Sequence, residues 1–142
     1  MQIFIIGSAL DTFNILDKRR LRKQLLESNQ ILRTLVGASE AWKNHPCILQ
    51  YKDHIFWLSN YNKCLFHYIN SGSNCPQVQH YNRLCEESKP YFHTEEFLNQ
   101  MKRRLYTKDP DYYSIWSYLG ISDENWYYVD NEMRIYKKGK RI

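Results

Sequence analysis

The chain has 142 residues, of which 43% are hydrophobic and 15% aromatic, with a formal net charge of +5. This length and apolar content predict one domain over residues 1–142 with a substantial core. No run of about 18 apolar residues is present, which excludes a membrane span. A basic, aromatic-rich domain favours a polyanionic partner, since Lys and Arg bind phosphates and aromatic rings stack on bases.

The first residues contain a short apolar run at positions 3–6, without a basic leader, that is too short for a signal peptide. We therefore expect a cytoplasmic, monomeric protein. The cysteines are widely spaced and form no CxxC pair, and the five histidines form no HExxH or HxH pattern. This spacing predicts free thiols, no metal site and no cofactor.

The first long helix is predicted over residues 14–36, with Gly37 as its C-terminal stop. At 100° per residue, one apolar stripe contains Leu21, Leu25, Ser28, Leu32 and Leu35. Another face carries Arg20, Lys23 and Glu27. Two interpretations of that face remain open. It is either a solvated surface with a Lys23–Glu27 ion pair or a carboxylate placed within a phosphate-binding surface.

Four further helical segments follow in the pattern. A second long helix is predicted over residues 46–70 with Pro46 near its start, and a short helix over 77–87. Thr94 is a predicted N-cap of a third long helix, which stops before Asp109, and a short helix is predicted over 110–120. The tail from Trp126 is predicted to form either a small hairpin around residues 130–131 or an irregular coil. The predicted fold class is all-α: three main helices and an irregular, aromatic and basic C-terminal tail.

Three features of the sequence suggest chemistry. They are the Arg20, Lys23 and Glu27 face, His45 at a helix N-terminus, and the basic, aromatic C-terminal region. His45 has two open interpretations, as a phosphate-side residue or as a capping residue. No GxSxG, P-loop or paired-carboxylate motif is present. One nucleophile needs no motif, namely the α-amine of the chain, which can attack a sugar carbon to form a Schiff base.

These residues together resemble the phage-type pyrimidine-dimer DNA glycosylase/AP lyase family. The first matching block is Leu16-Asp17-x-Arg19-Arg20-Leu21-x-Lys23-Gln24-x-x-Glu27, continuing to Gln30-Ile31-Leu32. Trp42-x-Asn44-His45-Pro46 forms the second. The third joins His93 with Arg104-Leu105-x-x-Lys108-Asp109-Pro110-x-x-Tyr113. The fourth is Trp126-Tyr127 with Gly139-Lys140.

The resemblance implies a metal-free enzyme that kinks double-stranded DNA, flips a nucleotide and cuts the glycosidic bond at a damaged pyrimidine. It implies two catalytic groups, the N-terminal amine and the carboxylate of Glu27, with AP lyase activity through β-elimination. Laying Met1-Gln2-Ile3 over the start of the mature relative places the α-amine of Met1 as nucleophile. The implied DNA-contacting residues are Gln2, Arg20, Lys23, His45, Arg104, Lys108, Trp126 and Lys140.

The chain departs from the family pattern beside its glutamate. Leu26 and Gln30 stand where the phage enzyme has arginines, which affects phosphate contacts and lesion preference. Two alternatives therefore remain beside a pyrimidine-dimer enzyme. One is a glycosylase for another modified pyrimidine, and the other is a catalytically silent DNA-binding domain. Glu27 favours an enzyme, because a pure phosphate binder gains nothing from a carboxylate at that place.

Overall fold

The computed structural model describes residues 1–121 and the backbone of three short strands beyond them. The helices are α1 (Ala9–Ile15), α2 (Lys18–Leu35), α3 (Pro46–Tyr51), α4 (Ile55–Ser71), α5 (Pro76–Glu87) and α6 (Glu95–Lys108), with a 3₁₀ helix at Ser114–Leu119. The strands are β1 (Trp126–Tyr128), β2 (Ile135–Lys137) and β3 (Lys140–Arg141). The predicted helical fold class is confirmed. No helix in the described part of the chain is long and apolar enough to cross a bilayer.

The predicted helix over residues 14–36 is in fact two helices. Its continuous form is wrong because Asp17 adopts an extended backbone and caps α2, its carboxylate accepting the Arg20 N–H. Ser8 caps α1 in the same way through the Asp11 N–H. The break therefore lies at two adjacent extended residues, Leu16 and Asp17. The end of α2 agrees with the prediction, since Gly37 has a positive φ of 82°.

The predicted helix over residues 46–70 also divides, at residues 52–54. Tyr51 and Trp57 stack with ring centroids 5.4 Å apart. On one continuous helix, residues six apart would point about 120° away from each other. The break brings both rings into the core, where they are almost fully buried. Packing of aromatic side chains therefore overrides a helical pattern that contains no glycine or proline at the break.

The core takes buried side chains from all six α-helices, and the N-terminal segment enters it. Ile3, Phe4 and Ile5 are all buried. In the tail, β1 pairs antiparallel with β2, and β2 with β3. Of the two interpretations of the tail, the hairpin fits this pairing, while its proposed turn at residues 130–131 lies outside the described part. The predicted helix over 77–87 is confirmed as α5, the Thr94 cap holds α6, and residues 114–119 form a 3₁₀ helix.

Candidate active site

A cavity of about 240 Å³ opens between the N-terminus and the first turns of α2. Its lining is polar and strongly basic, and it includes both residues predicted to carry the chemistry, Met1 and Glu27. The lining residues are Met1, Gln2, Phe4, Arg19, Arg20, Lys23, Gln24, Glu27 and Lys108. The structure therefore brings together four cations, one carboxylate and the first residue of the chain, and five of the predicted site residues besides Met1 are among them.

Glu27 is the only acid in this lining and is largely withdrawn from solvent, with 9% of its surface exposed. Its Oε2 accepts the backbone N–H of Gln2 at 3.1 Å. The Lys23 Nζ lies 3.8 Å from Oε1, so the predicted ion pair exists on the solvent side. The interpretation as a solvated face is thus wrong for Glu27, because the N-terminal segment covers it. Sequence periodicity alone places this residue on another face of the helix than the apolar stripe, without showing what covers that face.

The hydrogen bond to Gln2 locates the α-amine of Met1. Successive backbone nitrogens are less than about 3.8 Å apart, so the amine lies within roughly 7 Å of the Glu27 carboxylate. A second observation agrees with this position. Burial, and then the positive charge of the N-terminal amine, lowers the pKa of His45. The amine is therefore near the Glu27 carboxylate, and its charge also acts on His45 at the N-terminus of α3.

Arg20 is held by groups from two distant parts of the chain. Its Nη1 donates to Asp17 Oδ1 at 2.9 Å, and its guanidinium lies 5.5 Å from the centre of the Tyr113 ring. The Tyr113 hydroxyl donates to the same Asp17 oxygen and accepts the Asp17 N–H. Burial tends to raise the pKa of Asp17, but the bonds from Tyr113 and Arg20 together bring it below its ordinary value. The carboxylate is thus ionised at neutral pH and fixes the arginine at the rim of the cavity.

Lys108 approaches the same cavity from the end of α6. Burial, followed by the nearby charges of Lys23 and Arg20, lowers its pKa. Positive charges that repel one another in the free protein are stabilised when a polyanion is bound between them. Arg19 adds a fourth cation to this lining, although it was named only in the first matching block and not predicted as a DNA contact. The signal was present, since Arg19 and Lys23 are four residues apart on one helix.

Arg104 and Gln2 occupy positions that the sequence did not indicate. Both are buried, and Arg104 Nη1 donates to Gln2 Oε1 at 2.8 Å. Gln2 Nε2 also lies 3.4 Å from the Met101 sulfur. The expectation of a surface phosphate contact is therefore corrected for Arg104, because its guanidinium faces the interior and holds the second residue of the chain. Gln2 likewise serves as an anchor for the N-terminus.

His45 caps α3. Its Nδ1 accepts the Cys47 N–H at 3.0 Å, so the neutral ring carries its proton on Nε2. The capping interpretation is thus confirmed, and a DNA contact of His45 stays a prediction. Burial raises the pKa of the adjacent Cys47 thiol to about 12, so this cysteine is not a competing nucleophile.

Two predicted residues belong to the C-terminal strands. Trp126 begins β1 and Lys140 begins β3, but their side chains, like Gly139, lie outside the described part of the chain. Their DNA contacts stay predictions. Within residues 1–121, no cluster of three or more His, Cys, Asp or Glu side chains has the arrangement of a metal site.

Comparison with known families gives one match. The model of the family described as pyrimidine dimer DNA glycosylase matches residues 1–71, which is half of the chain. These residues include α1 to α4, Met1 and Glu27. Neither a curated protein nor a solved structure matches the chain.

Proposed function

The chain belongs to the pyrimidine dimer DNA glycosylase family, and we propose that it excises a base of a pyrimidine dimer through an imine formed by its own α-amine. The observation that carries this proposal is the 3.1 Å hydrogen bond from the Gln2 N–H to Glu27. This hydrogen bond supports the proposal that the nucleophile and the carboxylate lie in the same basic cavity. The partner is double-stranded DNA containing a damaged pyrimidine.

The reaction begins with the neutral α-amine of Met1 attacking the sugar carbon C1′. A bond forms from nitrogen to C1′, and the bond from C1′ to the base breaks. The base leaves with the electron pair and takes one amine proton. The nitrogen lone pair then opens the sugar ring by expelling O4′, which takes the second proton and leaves an imine.

Strand cleavage follows from the same intermediate. Protonation of the imine makes the C2′ hydrogens acidic, and loss of one of them expels the 3′ phosphate with the electron pair of the C3′–O3′ bond. Water then hydrolyses the imine, which releases the amine and leaves an unsaturated aldehyde on the cleaved strand. We propose that Glu27 stabilises the cationic sugar and moves protons to O4′ and from C2′.

The cations of the cavity have a separate task. Arg20, Lys23 and Lys108 would neutralise phosphates on either side of the reacting nucleotide, while Asp17 and Tyr113 keep Arg20 in place. This arrangement favours an enzyme over a silent DNA-binding domain. A carboxylate in a phosphate-binding cavity weakens binding, so its presence is explained by chemistry.

We further propose that Met1 is retained. The bulky side chain of Gln2 disfavours methionine removal, and it is anchored by Arg104 and Met101 in the fold. The experiment is borohydride reduction of the protein with DNA containing an abasic site, followed by mass spectrometry of the adduct. The expected adduct is on the α-amine of Met1. A form extended by one residue displaces the amine by about 3.8 Å and should trap poorly.

The outcomes separate the alternatives. An adduct on Lys23 or another lysine, or on Gln2 after loss of Met1, contradicts the assignment of the nucleophile. Full activity of an N-terminally acetylated protein does so as well. No adduct together with tight DNA binding selects the silent DNA-binding domain. Trapping on abasic DNA without excision at a pyrimidine dimer selects a glycosylase for another modified pyrimidine.

A further inference from the structure

The N-terminal segment is held by side chains at every second residue. The N–H of Gln2 binds Glu27, the N–H of Phe4 binds Gln24 at 2.8 Å, and the N–H of Ile6 binds Thr12 at 3.0 Å. Such alternation is typical of an edge strand paired with a neighbour. Here the neighbour is a set of side chains from α1 and α2.

Gln24 occupies the centre of this arrangement. Its Oε1 accepts the Phe4 N–H, and its Nε2 donates to the Gln2 carbonyl oxygen at 2.7 Å. One side-chain amide thus reproduces both hydrogen bonds that a paired strand would make. Gln24 is 1% exposed, so the bonds form where water does not compete.

Tyr61 of α4, which is fully buried, binds the same amide from the core. Its hydroxyl lies 2.9 Å from Gln24 Oε1 and 2.9 Å from the Phe4 carbonyl oxygen, and shares its proton between them. Gln24 Nε2 also lies 3.5 Å from Glu27 Oε2. The amide therefore connects α4, the N-terminal segment and the carboxylate of the cavity.

We infer that Gln24 is a positioning residue that aims the α-amine of Met1 at the reacting sugar carbon. This inference rests on the proposed function, in which that amine is the nucleophile. Glu27 fixes the Gln2 N–H, in the peptide between Met1 and Gln2, and Gln24 fixes the Gln2 carbonyl, in the next peptide. Both peptide planes that lead to the α-amine therefore have little rotational freedom. Attack needs a near-linear approach at about 3–3.5 Å, and an error of 1 Å costs about 100-fold in rate.

The test is Gln24→Met, which keeps the side-chain length and removes all of its amide bonds. Two quantities are measured on the same preparation: the single-turnover rate of borohydride trapping on abasic DNA, and the affinity for DNA carrying a tetrahydrofuran abasic analogue. We expect trapping to fall about 100-fold with affinity within about twofold of wild type. A merely structural role would change both quantities or neither.

The matched control is Gln50→Met, which removes another buried glutamine that does not line the cavity. It should match wild type in trapping and in affinity. Trapping by Gln24→Met at the wild-type rate, or equal losses of trapping in both variants, overturns the role of Gln24. Failure of wild-type protein to form a Met1 adduct instead contradicts the proposed function, so the two failures are distinct.

If Gln24→Met does not fold, Tyr61→Phe tests the same arrangement. This change removes one hydroxyl and keeps the buried ring. Slower trapping with unchanged affinity supports the inference, and wild-type trapping overturns it.

Discussion

Replacing Glu27 by Gln should abolish excision while leaving a folded protein that binds DNA. The amide oxygen of the variant still accepts the Gln2 N–H that Glu27 accepts at 3.1 Å. The variant loses the ion pair with Lys23, whose side chain is well exposed. Exposed ion pairs contribute only about 0–1 kcal/mol to the free energy of unfolding. We therefore expect a small change in Tm.

The expected effect on rate is larger because, in the proposed mechanism, the carboxylate faces charge that develops during the reaction. At a separation of about 5 Å and an effective dielectric constant of about 20, one unit charge stabilises another by about 3 kcal/mol. This energy corresponds to roughly 200-fold in rate. Loss of proton transfer by the carboxylate reduces the rate further.

The assay is single-turnover excision on a duplex with one pyrimidine dimer, alongside affinity for the tetrahydrofuran analogue. Affinity should be unchanged or higher, because a negative charge leaves a phosphate-binding cavity. Glu40→Gln is the matched control, since Glu40 forms an exposed ion pair with Lys43 at 3.2 Å. Excision by Glu27→Gln within about fivefold of wild type would refute the assignment of the catalytic carboxylate.

Three further predictions concern the cavity. Lys108→Met should weaken DNA binding, reduce the slope of log affinity against log salt by about 0.9, and slightly raise Tm, because it removes a cation repelled by its neighbours. Burial is the main cause that lowers the pKa of Lys108, so this lysine loses its proton at a lower pH than an ordinary lysine. The DNA affinity of the wild type should therefore fall as the pH rises through that lower range, and the affinity of Lys108→Met should not show this fall in binding titrations. The same pH profile in both proteins would contradict this role of Lys108. Tyr113→Phe removes the hydrogen bond to Asp17 that helps to position Arg20, and it should reduce DNA affinity several-fold. The control is Tyr112→Phe, since Tyr112 is exposed. Equal effects of the two changes in a binding assay would contradict the positioning of Arg20. Excess EDTA should leave excision unchanged, since the proposed imine chemistry uses only an amine and a carboxylate, and activity restored by a divalent ion would refute that mechanism.

Local patterns in the sequence predicted much of the helical framework. Thr94 and Pro46 mark helix starts, and Gly37 marks a helix end. The spacing of Lys23 and Glu27 predicted their ion pair. These features depend on residues within one or two turns, so they can be read from the chain without knowing what packs against it.

The tertiary structure decided which polar groups are buried. Periodicity placed Glu27 on a charged face and the family resemblance implied a phosphate contact for Arg104, yet the N-terminal segment covers the first and Gln2, 102 residues away in sequence, binds the second. Gln24 belongs to the first block that matches the family, but its burial was not predicted, since a glutamine in a helix is usually solvated. Helical spacing is a property of neighbouring residues, whereas burial of a polar side chain depends on distant partners that satisfy its hydrogen bonds. For that reason the sequence alone determined which segments are helical and named Glu27, whereas only the fold decided where the two long predicted helices break and assembled the amine, the carboxylate and the cations into one cavity.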